Sequence, residues 1–88
     1  MKKLVTVTEV EGEGLESLLG EKVLLFCTNY FYTGTLEGVN TTCVCLKDPA
    51  IVFETGAYTE KGYRDVQKLH TDTLYVQTAA IEAFTRSK

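Results

Sequence analysis

Residues 34–48, GTLEGVNTTCVCLKD, read as two antiparallel strands joined by a tight polar loop. Leu36 and Val39 lead into Asn40-Thr41-Thr42. Cys43 to Leu46 then form an apolar run that stops at Lys47-Asp48-Pro49. A short apolar run between polar breakers is the pattern of a buried strand. Gly34, in the middle of the first strand, predicts a sharp bend, because glycine tolerates the backbone of a strongly curved sheet. A bent strand, a polar turn and a buried strand are the makings of a small barrel.

Working outward toward the N-terminus, Val23 to Cys27 reads as a strand apolar on both faces, and Thr28-Asn29 as a hairpin turn. Tyr30-Phe31-Tyr32 opens the next strand. Leu15, Leu18 and Leu19 share one face of a short α-helix that Gly20 is placed to end. About two turns cannot hold alone in water, so the leucines must lie against the open end of the barrel. Leu4 to Val10 reads as an arm or extra strand within residues 1–11, broken by Gly12 and Gly14.

Toward the C-terminus, Pro49 cannot donate to a ladder and marks an edge, a bulge or a break. Ile51-Val52-Phe53 resumes strand character, and residues 55–65 read as a loop. Val66 to Thr78 is the next extended segment, and Ile81 to Phe84 a last short strand. The expected architecture is one domain over residues 1–88. It is mainly β: a short N-terminal α-helix, then a five-stranded, strongly bent antiparallel sheet forming a small open barrel.

Composition narrows the function classes. The net charge is −3 and the nine basic residues are scattered, which argues against a broad electrostatic footprint on nucleic acid. No apolar run approaches the roughly 20 residues of a membrane span, and Leu4 to Glu9 is too short and polar for a signal-peptide core. Cys27, Cys43 and Cys45 are an odd count at strand-like positions, so they read as packed thiols in a reduced, cytoplasmic setting. With His70 they could supply four zinc ligands, but buried packing is the commoner role of such cysteines. No nucleophile motif, metal box or phosphate-binding glycine loop is present. The expectation is a protein without catalytic residues, cofactor or metal.

Helix, hairpin and the 34–48 stretch together resemble the Sm-like family: Sm, LSm and the bacterial Hfq branch. Leu18 to Val23 is similar to the family's helix-to-first-strand passage. Gly34, Leu36 and Asn40 match the spacing of its first sequence motif, and Cys43 to Asp48 has the shorter, Hfq-type spacing. Residues 76–84 carry the apolar skeleton of the second motif. They lack both the Ile-Arg-Gly of Sm proteins and the Tyr-Lys-His of Hfq.

The resemblance implies a homo-oligomeric ring of about five to eight copies, closed head-to-tail. Leu74, Val76, Ile81 and Phe84 would lie at the seam. It further implies single-stranded RNA held at the pore by Asn40, Thr41 and Thr42 from one loop and Thr78 and Ala79 from another, in an RNA-binding or RNA-chaperone role. Thr42 stands where the family carries a stacking side chain, and Thr has no π face. Tyr30, Phe31 and Tyr32 are a second candidate face for RNA or a partner. The interleaved Tyr58, Lys61, Tyr63, Arg64 and Lys68 are another candidate contact region. Two alternatives stand beside this reading: a structural or protein-interaction ring that has lost RNA binding, and an unrelated SH3-like barrel acting as a monomeric adaptor.

Overall fold

A computed structural model describes residues 14–88; the arm expected over residues 1–11 lies outside them. Six strands follow one another: β1 (Lys22–Cys27), β2 (Phe31–Val39), β3 (Cys43–Glu54), β4 (Asp65–Lys68), β5 (Thr73–Gln77) and β6 (Ile81–Arg86). Every pairing is antiparallel, in the order β4-β3-β2-β1-β6, with β5 also on β3. The sheet is open: among the described residues, β5 and β6 do not pair with each other.

Two expectations are corrected. There is no α-helix at Leu15–Leu19. Leu15–Leu18 form a single 3-10 turn, with Ser17 and Leu19 N–H donating to carbonyls three residues back. The segment sits between Gly14 and Gly20 and has no side-chain cap, so it cannot pay for a longer helix. It still delivers Leu18 into the core. The strand count is six, not five. Val66 to Thr78 is interrupted at residues 69–72, where Thr71 Oγ1 bonds the Thr73 carbonyl and the Asp72 carbonyl accepts from Asp48 N–H.

β3 explains the curvature. Along one edge it pairs with β2 throughout. Along the other, Cys43–Lys47 pair with β5 and Ala50–Glu54 with β4. The change of partner falls at Asp48-Pro49, where Asp48 has φ 50° and Pro49 is buried. Pro49 lacks only the N–H, and its carbonyl accepts from Leu69 N–H. Opposite it, the β2–β3 register shifts between Thr33 and Thr35, leaving Gly34 inside the bulge. Bulges bend a strand and raise its twist.

Val23, Leu25, Cys27, Leu36, Val44, Leu46 and Val76 form the core inside this curl, closed by Leu18. Leu24, Thr33, Ala50 and Val52 are buried on the opposite face. No helix among the described residues is long and apolar enough to cross a membrane.

Candidate functional site

The two loops expected to act together do meet. Thr78 N–H donates to the Thr42 carbonyl at 2.9 Å, and Thr78 Oγ1 donates to the Thr41 carbonyl at 2.9 Å. These bonds exist because β5 pairs with the first half of β3 in a register that sets Gln77 opposite Cys43. The 3-10 turn Thr78–Ala80 then falls beside the β2–β3 loop. Together they enclose a shallow depression lined by Thr41, Thr42, Cys43, Tyr75, Gln77, Thr78 and Ala79.

Much of the polar capacity expected here is already used. Asn40 Oδ1 accepts from Thr42 N–H and Cys43 N–H, each at 2.8 Å, and from Thr42 Oγ1 at 3.0 Å. Asn40 is therefore the closing residue of an Asx-type turn. Its Nδ2 donors remain, but its carbonyl oxygen is saturated. Among the described residues, no charged side chain lines the depression.

Two residues absent from the sequence expectation supply what Thr42 lacks. Tyr75 and Gln77 alternate with Leu74 and Val76 along β5. Leu74 and Val76 pack on the chain's own core, leaving Tyr75 68% exposed. An exposed aromatic face beside a primary amide can stack a planar ring and bond its edge. The period-2 pattern of Leu74-Tyr75-Val76 was the available signal.

The seam candidates divide. Val76 is a core residue of the same chain, Leu74 and Ile81 are partly buried and pack on that core, and Phe84 is 41% exposed. Phe84 lies opposite Leu25 in the β1–β6 ladder, on the core side of the sheet. The core face thus continues onto β6. Between the β1–β2 hairpin and β5, Cys27, Tyr30, Tyr32, Leu74, Tyr75 and Val76 line a groove of about 190 Å³.

The aromatic triplet also divides by face. Tyr30 is exposed, edge-on to Phe53 at 6.1 Å and to Tyr32 at 6.3 Å between ring centres. Phe31 turns to the opposite face, edge-on to Phe26 at 4.8 Å. The three do not form one platform. Tyr58 approaches Phe26 at 6.5 Å, whereas Arg64 pairs with Glu60 and Glu54.

Cys27 is a core residue, while Cys43 and Cys45 lie opposite Gln77 and Tyr75 on the other face. Among the described residues no three metal-ligating side chains stand together. Burial, then the Glu82 carboxylate, pushes the Cys27 thiol above its ordinary range; burial, then Cys27 and Tyr30, does the same to the Tyr32 phenol. Across the outer surface, Arg86 donates to both oxygens of Glu21 at 2.9 and 3.2 Å, which lowers the pKa of that carboxyl and ties β6 to the start of β1.

Cys27 will therefore alkylate at least about tenfold more slowly than Cys43 or Cys45 in the folded protein, since the thiolate is the nucleophile and access is limited. Peptide-resolved iodoacetamide labelling measures this. The unfolded chain ionises Cys27 at lower pH than the folded one. Its contribution to stability is complete below the ordinary thiol range and is lost as pH rises from there through the raised value of the folded state. Urea midpoints at about pH 7 and about pH 10 check the direction.

Comparison with family models, with curated proteins and with solved structures finds no match to this chain.

Proposed function

We propose that this protein is an Sm-like module that assembles with copies of itself and holds single-stranded RNA at the rim formed by the β2–β3 loop and the β5–β6 turn. The observation that carries this reading is the pair of hydrogen bonds from Thr78 to Thr41 and Thr42, which brings both loops to the exposed ring of Tyr75 and the amide of Gln77. The topology supports it too. Among the described residues β5 pairs only with β3 and β6 only with β1, and a free edge on each of the last two strands is what the resemblance implies.

Contact on this rim is driven by bases rather than phosphates. Tyr75 supplies the π face, Gln77 supplies edge contacts with Asn40 Nδ2 in the adjoining loop, and among the described residues no cation lines the depression. Stacking on one aromatic is worth about 1–3 kcal/mol per base, so Tyr75→Ala will weaken binding about 5- to 150-fold. Because few phosphates are neutralised, the salt dependence will be shallow.

Fluorescence polarisation with U-rich and A-rich oligonucleotides at two salt concentrations measures both effects. Tyr75 is exposed, so the variant will keep its fold; light scattering alongside it checks its assembly. No binding at low salt, or binding indifferent to Tyr75, rejects the RNA reading.

One observation favours the second reading, a scaffold ring without RNA. The Asn40 carbonyl and the Thr42 and Thr78 hydroxyl protons are spent within the rim itself. Assembly with no oligonucleotide binding is its expected result.

A further inference from the structure

The loop after β3 encloses the side-chain nitrogen of Lys88. Its Nζ donates to the carbonyls of Thr55 at 2.5 Å, Ala57 at 2.8 Å and Gly62 at 3.1 Å. It also stands 5.5 Å from the ring centre of Tyr58 and 5.1 Å from that of Tyr63. We propose that residues 55–63 form a binding site for a primary alkylammonium group, filled in this chain by Lys88.

The donor count fits that class of ligand. An –NH3+ group carries three N–H donors and no acceptor, and the loop offers three carbonyls. The two aromatic faces, within about 6 Å, add attraction for the cation. A quaternary ammonium has the charge but no N–H. An alcohol has one O–H and no charge. A guanidinium is a planar fork, poorly suited to three carbonyls converging on one nitrogen.

The cage walls are held by contacts other than Lys88. Gly56 has φ 69° and turns the chain between the first two carbonyls; a Cβ there would stand 2.9 Å from Arg64 Cγ and Glu60 Oε2. Glu60 N–H donates to the Ala57 carbonyl at 2.9 Å, and Arg64 Nη2 donates to Glu60 at 3.3 Å. The Tyr63 hydroxyl lies 2.6 Å from Ser87 Oγ, which itself accepts from Thr33 Oγ1 at 3.1 Å. Ser87 N–H donates to the Lys22 carbonyl. The site is thus anchored to β1 and β2 and has a shape of its own for the ammonium to enter.

The test uses the full chain with Lys88→Met, which keeps an unbranched side chain without the charge, and Lys88→Ala, which vacates the site. In Lys88→Met, amide exchange across residues 55–63 will speed up about tenfold or more while β1 and β2 keep their protection. In Lys88→Ala, propylammonium at about 0.1 M, above the millimolar effective concentrations of short flexible tethers, will restore that protection. It will also shift the Tyr58 and Tyr63 ring resonances saturably. Tetramethylammonium and propanol at the same concentration will do neither. Unchanged protection in Lys88→Met, no response to propylammonium, or an equal response to tetramethylammonium would each overturn the proposal. None of these outcomes depends on RNA binding or assembly.

Discussion

Gly34→Ala will destabilise the protein by about 1–3 kcal/mol, the range for forcing a methyl into a filled interior, whereas Gly38→Ala, four residues along the same strand, will be near neutral. A Cβ on Gly34 would meet the Lys47 carbonyl oxygen at 3.0 Å, Leu46 Cβ at 3.2 Å and Pro49 Cα at 3.3 Å. Two of these are backbone atoms of β3 at the point where it changes partner from β5 to β4. They cannot withdraw without straightening the bend. A Cβ on Gly38 meets only Cys45 Cβ, at 3.6 Å, which is ordinary contact. There the loss of unfolded-state freedom offsets any cost. A domain of this size has a stability of only several kcal/mol, so the Gly34 variant will show a large loss in urea midpoint. Gly34→Val will leave little folded protein. Denaturation followed by far-UV circular dichroism measures the contrast. Equal effects at the two glycines would mean that close approach to β3 is not what Gly34 provides.

That contrast also marks how far sequence reasoning reached. The bend at Gly34, the tight polar loop that begins at Asn40 and the buried strand after it are local, and local chemistry names them. Glycine inside an alternating strand, an amide side chain two residues before its partner N–H and an apolar run each have few other readings. The split of Val66–Thr78 into β4 and β5 was less visible. Its break at residues 69–72 has no glycine or proline and depends on Asp48 N–H reaching the Asp72 carbonyl, a long-range bond. Leu74 and Val76 were placed at a seam because apolar residues on an outer strand need cover; the register of β5 on β3 also packs them against the chain's own core, while both line the groove beside β5. The same alternation turns Tyr75 and Gln77 outward. The Lys88 cage lay beyond any pattern, because its three carbonyls come from 26 to 33 positions away.

Phe84→Lys will convert an assembled protein into single chains, with light scattering falling to the 9.8 kDa of one copy. Phe84 carries the core face onto the edge strand β6 and is 41% exposed. A groove between the β1–β2 hairpin and β5 is lined by Tyr30, Tyr32 and Leu74. The proposed contact sets Phe84 of one copy against this different surface of the next, which makes it head-to-tail. Such a contact closes into a ring when its rotation permits. Burying one phenylalanine side chain contributes about 1.5–3 kcal/mol, and a lysine in its place must also bring a charge into the contact. Each copy carries the substitution, so the loss recurs at every contact around the ring. Leu19→Lys is the matched control: Leu19 is 47% exposed but lies outside the sheet edges, and its replacement will leave the mass unchanged. A parent protein that scatters as one chain at micromolar concentration would leave Phe84 an ordinary exposed residue, and the rim between the two loops would then have to act alone.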